Sequence, residues 1–100
     1  MTLNDGDLTT AGFGRAWQME FGKDGCLYVS DASNHVIRKI NLETKIVETI
    51  IGIPGVKGAK DGKKGEATLN EPRGLVWNKD GTALYISDFG NSRIRKYEYN

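Results

Sequence analysis

Between residues 16 and 21 the chain alternates strictly, with Trp17, Met19 and Phe21 on one side and Gln18 and Glu20 on the other, which is the two-residue period of a strand. Gly22-Lys23-Asp24-Gly25 follows, and Asp-Gly supplies the positive φ angles of a tight hairpin. Apolar and β-branched residues then predict strands over residues 27–30, 36–41 and 46–51, parted by the polar run from Asp31 to His35 and by a turn over 42–45. Short strands joined by short turns make an antiparallel meander. Residues 52–71 show no apolar periodicity and hold Pro54, five glycines, and Lys57, Lys60, Lys63 and Lys64, so they read as a long loop. A second meander is predicted over residues 73–77, 84–87 and 93–99. Residues 1–14, rich in Gly, Asp, Asn and Thr, read as a leading loop.

The two meanders are copies of one unit. Leu27-Tyr28-Val29-Ser30-Asp31-Ala32-Ser33-Asn34-His35-Val36-Ile37-Arg38-Lys39-Ile40 returns as Leu84-Tyr85-Ile86-Ser87-Asp88-Phe89-Gly90-Asn91-Ser92-Arg93-Ile94-Arg95-Lys96-Tyr97. Upstream of the Asp-Gly pairs the same correspondence places Asp5 on Asp61, Gly6 on Gly62, Ala11 on Ala67, Phe13 on Leu69, Met19 on Leu75 and Phe21 on Trp77. One extra residue at Thr82-Ala83 is absorbed in a hairpin. The units run over residues 1–60 and 61–100, and the second ends at Asn100 without a copy of the strand over 46–51.

Composition narrows the class without naming a function. The chain has 100 residues, 38% hydrophobic and 27% charged, which is ordinary globular chemistry for one small domain or a piece of a larger one. A net charge of +1 gives no overall attraction to nucleic acid or anionic membrane. Cys26 is the single cysteine, so it forms no intrachain disulfide and reads as a small buried hydrophobe at a strand start. No apolar run approaches a membrane span, and the first residues have neither the basic nor the apolar region of a signal peptide.

Tandem four-stranded meanders with apolar residues on both faces of their inner strands predict all-β blades stacked face to face, as in a β-propeller. On these residues the chain resembles the NHL repeat: Asp61-Gly62, Ala67, Leu69-Asn70, Pro72-Arg73-Gly74-Leu75, Asp80-Gly81, Leu84-Tyr85-Ile86-Ser87-Asp88 and Asn91-Ser92-Arg93-Ile94-Arg95-Lys96, with a weaker first copy in which Gly14-Arg15-Ala16 replaces Asn70-Glu71-Pro72. Propellers of this family have about six blades. The resemblance therefore implies either that further blades of a longer parent chain complete the ring, or that copies of this chain self-associate through blade faces, with Trp17, Met19, Phe21, Leu75 and Trp77 partly wet until they do.

In a meander alternate connections emerge at the same end of the sheet. The long loop and the Asp-x-x-Asn turns are thus expected on one face, which gathers the ligand-face candidates Arg15, His35, Lys57, Lys60, Lys63, Lys64, Arg73 and Phe89. Asp31, Asn34, Asp88 and Asn91 read as structural turns, their side chains accepting hydrogen bonds from N–H groups of their own turn. The pairs Arg38-Lys39 and Arg95-Lys96 read as a solvated edge with aliphatic stems laid on neighbouring blades. No metal site is expected: Asn78-x-Asp80-Gly81 lacks the glutamate of a calcium loop, and His35 is the single histidine. No nucleophile elbow or phosphate-binding loop is present, and no cofactor is implied.

Three readings follow. The first is a non-catalytic recognition module for a protein or a glycan, since NHL-type proteins with such Asp-Gly loops look like extracytoplasmic binding proteins of bacteria. The second is a piece of a propeller enzyme of lyase or hydrolase type, with its catalytic residues outside this chain. The third is an assembly unit with no ligand of its own. RNA binding, known for some NHL propellers, is disfavoured because the lysine-rich loop is interleaved with glycines and acids rather than with stacking aromatics.

Overall fold

The computed structural model describes residues 6–7 and 14–98. Most of the leading loop, the repeat positions Asp5, Ala11 and Phe13, and the Tyr99 end of the last expected strand lie outside them. Among the described residues eight strands, β1 (Gly6–Asp7), β2 (Ala16–Phe21), β3 (Leu27–Asp31), β4 (Val36–Asn41), β5 (Ile46–Ile51), β6 (Pro72–Trp77), β7 (Ala83–Asp88) and β8 (Arg93–Glu98), form two antiparallel sheets. Their orders are β1-β5-β4-β3-β2 and β6-β7-β8. These are the two meanders expected from the alternation, with one addition. Gly6–Asp7, expected within a loop, is a strand pairing with Val47 and Ile46 of β5. A two-residue strand is too short to show alternation, and the open edge of β5 supplies its partner.

Local chemistry sets the turns. Asp24 Oδ1 accepts from the Cys26 N–H at 2.9 Å while Gly25 takes φ +80°. Asn41 Oδ1 accepts from the Glu43 and Thr44 N–H groups at 3.0 and 3.1 Å. The Asp-x-x-Asn segments are single turns of 3-10 helix, Ala32–Asn34 and Phe89–Asn91, closed by His35 and Ser92 in the left-handed region.

The main core lies between the sheets: Cys26, Tyr28, Ile37 and Ile50 from the first meet Leu75, Leu84 and Ile86 from the second. Trp77 meets the Tyr28 ring edge-on, with centroids 4.9 Å apart. Leu69, in the expected loop, is fully buried in this core, and Lys57 pairs with it in a parallel bridge. The segment between β5 and β6 is therefore a packed strap. Polar groups join the inner strands as well. The Gln18 amide donates to Leu75 O at 3.0 Å and accepts from Leu75 N at 3.1 Å, and Ser30 Oγ donates to Arg73 O at 2.6 Å.

Repeat-equivalent residues show what the packing does. Ile37, facing the second sheet, is 0% exposed, whereas its equivalent Ile94 is 71% exposed on a face that no described residue covers. In the opposite sense Leu75, facing the first sheet, is 2% exposed, and its equivalent Met19 is 57% exposed beside Trp17 and Phe21. Leu75 was expected to be partly wet; the first sheet covers it. The open faces are thus Trp17, Met19 and Phe21 on one side and Val76, Tyr85 and Ile94 on the other.

One cluster couples the fold to pH. Asp24 Oδ2 accepts from the Tyr28 hydroxyl at 2.8 Å and lies 3.3 Å from Lys39 Nζ. Burial pushes the Asp24 carboxyl up, but hydrogen bonds from Cys26 N–H, Tyr28 and Lys39 outweigh it and hold the carboxyl below its usual range. Burial pushes the Lys39 ammonium down, and the Asp24 carboxylate more than reverses this, leaving it raised. Burial and then the bond to Asp24 raise the Tyr28 hydroxyl. A lowered carboxyl stabilises the fold above its unfolded pKa of about 3.9 and loses that as pH falls through its folded value; a raised ammonium stabilises below about 10.4 and loses that as pH rises through its folded value. The stability gap between the wild type and Asp24→Asn is therefore expected to be widest between about pH 5 and 9, shrinking toward pH 3 and toward pH 11. Urea midpoints across that range check it, and a gap independent of pH would refute it.

Candidate functional site

The ends of the inner strands β2 and β6 carry the richest side-chain chemistry. Trp17 on β2 and Arg73 on β6 occupy the same place in the repeat, each at a bulge where register is lost against the neighbouring strand. The Arg73 guanidinium carbon lies over two rings, 3.6 Å from the Phe89 centroid and 4.5 Å from that of Trp17. Both rings are about half exposed. Among the described residues Arg73 has no carboxylate partner, and its Nε is buried with no hydrogen-bond acceptor. His35 borders the same region: its Nδ1 accepts from the Glu71 N–H at 3.0 Å, so in the neutral ring the proton sits on Nε2 and can be donated. Arg15 is exposed; its N–H donates to Ser33 Oγ at 2.6 Å and its carbonyl accepts from Ala32 N, which ties the start of β2 to the turn after β3.

Of the eight expected ligand-face residues, Arg15, His35, Arg73 and Phe89 sit at these strand ends and turns. Lys57 stands in the strap beside Gly58, whose carbonyl accepts from Asn91 Nδ2 of the turn after β7 at 2.7 Å, whereas Lys63 and Lys64 lie elsewhere. Lys63 and Lys64 line a cavity of about 580 Å³ between the outer strands of the two sheets, with Lys39, Glu48, Asp61 and Tyr97. There Lys64 Nζ pairs with Glu48 at 3.3 Å. Lys60 serves through its backbone, its carbonyl accepting from Thr68 N and from Arg95 Nη2.

Asp31 and Asp88 are fully buried. Asp88 accepts from Asn70 N at 2.8 Å, Asn91 Nδ2 at 2.8 Å and Arg95 Nη1 at 2.7 Å. Asp31 accepts from Gly14 N and Asn34 Nδ2, both at 3.1 Å, and faces Arg38 Nη1 at 3.6 Å. The backbone N–H groups they receive belong to the segments entering the inner strands, not to their own turns as expected. The basic pairs, expected as a solvated edge, keep that character at the half-exposed Lys96 but not at their arginines. Arg38 is fully buried against Asp31, and Arg95 is clamped between Asp88 and Asp61, because each arginine stands seven residues after the buried aspartate and returns to it across the turn. Asn78 closes its hairpin by accepting from Thr82 N at 2.8 Å. Among the described residues no group of three or more His, Cys, Asp or Glu is placed to hold a metal, and no helix is long and apolar enough to cross a membrane.

Sequence reasoning assigned Trp17 to blade stacking and missed its part in the site. The signal was its alignment with Arg73, which the repeat spacing contains. Gln18 and Ser30, whose side chains fasten the inner strands, carried no sequence signal of their own.

No protein-family model matches the chain. Over 77 residues it is 43% identical to the Protein SUPPRESSOR OF QUENCHING 1, chloroplastic, of Arabidopsis thaliana, covering 77% of this chain and 7% of that protein. It is 32% identical over 95 residues to human NHL repeat-containing protein 2, covering 90% of this chain and 13% of that protein. Among solved structures it superposes with a TM-score of 0.90 and 28% identity on a protein of unknown function from Bacteroides thetaiotaomicron, over 97% of this chain and 24% of that one. A second match is an auxiliary nutrient binding protein from Bacteroides ovatus, with a TM-score of 0.82 and 25% identity over 95% of this chain and 26% of that one. The chain thus spans a small part of the relatives it matches and about a quarter of the matching solved chains.

Proposed function

Because this chain is an NHL-repeat chain folded as blades of a β-propeller, we propose that it is part of a non-catalytic recognition module that takes a glycan at the ends of its inner strands. The observation that carries the reading is the group of half-exposed Trp17 and Phe89 rings gathered about Arg73. Exposed aromatic faces pack against the C–H faces of sugar rings, and a nearby guanidinium and imidazole N–H supply directional donors for hydroxyl oxygens. The likeness to a solved nutrient binding protein supports binding rather than catalysis.

The test is titration of the chain with a panel of neutral and acidic oligosaccharides, read by tryptophan fluorescence and calorimetry. Saturable binding that weakens by about tenfold or more in Trp17→Ala, a loss of about 1.4 kcal/mol, is expected. Absence of saturable binding by any oligosaccharide, or binding unchanged in Trp17→Ala, would overturn the proposal. A protein ligand on the same face would then be the reading to pursue.

A further inference from the structure

Deepening that reading and resting on it, we infer that Arg73 is a receptor for a carboxylate, so that the glycan taken at this face is an acidic one, of the uronic-acid type.

The three arginines Arg38, Arg73 and Arg95 make the contrast. Arg38 and Arg95 each face a buried aspartate, Arg38 is itself fully buried, and the nearly buried Arg95 also donates to Thr68 O, Lys60 O and Asp61, so neither guanidinium is open to a ligand. Arg73 is held differently. Its contacts are with the two rings, which engage the weakly hydrated π system of the guanidinium and make no use of its N–H donors. Among the described residues its neighbours offer no substitute acceptor. Asp31 and Asp88 are buried and turned to Arg38 and Arg95, and Glu71 is exposed and makes no ion pair with Arg73. A guanidinium fixed in place with its donors unspent is complementary to a planar oxyanion with two acceptor oxygens, and the paired charge-assisted bonds are about twice as strong as neutral ones.

The surroundings favour a carboxylate borne on a sugar ring. The exposed parts of Trp17 and Phe89 adjoin the guanidinium, so one ligand can lay its ring on an aromatic face while its carboxylate reaches Arg73. His35 Nε2–H and the exposed Arg15 add donors at the same end of the sheets. Arg15 and Arg73 thus share this end of the sheets with the exposed carboxylate of Glu71.

The experiment compares trigalacturonate with its fully methyl-esterified form, which keeps the sugars and removes the charge. Calorimetry on the wild type, Arg73→Gln and Arg15→Gln, with matching circular dichroism, provides the readout. The acid is expected to bind the wild type at least about tenfold more tightly than the ester. Arg73→Gln should bring the two to within about twofold of each other, and Arg15→Gln should keep most of the preference. Should Arg73→Gln not fold, the wild-type comparison decides alone, together with weakening of acid binding, but not ester binding, as salt is raised. Equal binding of acid and ester, or a preference untouched by Arg73→Gln, overturns the carboxylate inference and leaves glycan recognition standing. Absence of binding by both trisaccharides overturns the inference, and the oligosaccharide panel then decides separately whether glycan recognition survives.

Discussion

Asp88→Ala is expected to cost about 3 to 5 kcal/mol of folding stability, whereas Asp61→Ala should cost less than about 1 kcal/mol, although both carboxylates bind the same arginine. Arg95 reaches Asp88 through Nη1 and Asp61 through Nη2, each at 2.7 Å, so distance does not separate the two bonds. Burial does. The Asp88 side chain is wholly inaccessible and that of Asp61 is 86% exposed. Asp61 is well solvated without its partner, and an ion pair in that setting gains little over two hydrated ions. Removing the Asp88 carboxylate strips an acceptor from the nearly buried Arg95 guanidinium, leaves the Asn70 N–H without its acceptor, and leaves the Asn91 amide with Gly58 O as its remaining one. The cost is the desolvation of these stranded groups, larger than any net gain the pair itself makes. Set against a typical total of about 5 to 15 kcal/mol, the loss takes a large part of the stability. Urea denaturation of the two variants and the wild type at neutral pH is the measurement. Equal shifts in the two midpoints would show that Arg95 draws its anchorage from the exposed carboxylate as much as from the buried one.

Much of this fold is written locally. Alternation at Trp17, Met19 and Phe21, the Asp-Gly hairpins and the return of Leu27–Ile40 at Leu84–Tyr97 are each short-range signals, and each produced the expected strand or turn. What escaped is what depends on distant contacts. A basic pair near the middle of a strand looks like solvated edge until its partner is known to be buried; the spacing from Asp31 to Arg38 and from Asp88 to Arg95 is the same in both copies, and that recurrence was the available signal. Leu69 sits among polar residues and glycines with no periodicity, and its sequence signal was the apolar Phe13 at the same place in the first copy. At the candidate site Arg15, His35, Arg73 and Phe89 were reachable from the rule that alternate connections share an end of the sheet. That rule could not separate the lysines, because the strap between β5 and β6 carries Lys63 and Lys64 to the outer strands before returning to the inner one. Nor could it pair Trp17 with Arg73, which requires the two blades to lie against each other.

Ile37→Ala is expected to cost about 2 to 5 kcal/mol, and the same change at the equivalent Ile94 less than about 1 kcal/mol. The two isoleucines occupy the same position of the repeat on corresponding strands, β4 in the middle of its sheet and β8 at an edge, a difference in strand context worth at most about 1 kcal/mol. The larger difference is the neighbouring sheet. Ile37 packs with Tyr28, Leu75 and Ile86 where the two sheets meet, and truncation there leaves a cavity whose walls are held by strands on both sides. Ile94 stands on the open face of the second sheet beside Val76 and Tyr85, where water already reaches it and deletion removes little buried area. The difference between the two costs therefore measures what one blade contributes by lying on another. Met19→Ala and Leu75→Ala repeat the measurement in the opposite direction, with Leu75 now the costly position. Urea midpoints of the four variants at low protein concentration check the set. Similar costs at Ile37 and Ile94 would mean that the sheets do not pack on each other in solution, and the site at the ends of the inner strands, which joins Trp17 of one sheet to Arg73 of the other, would not survive that result.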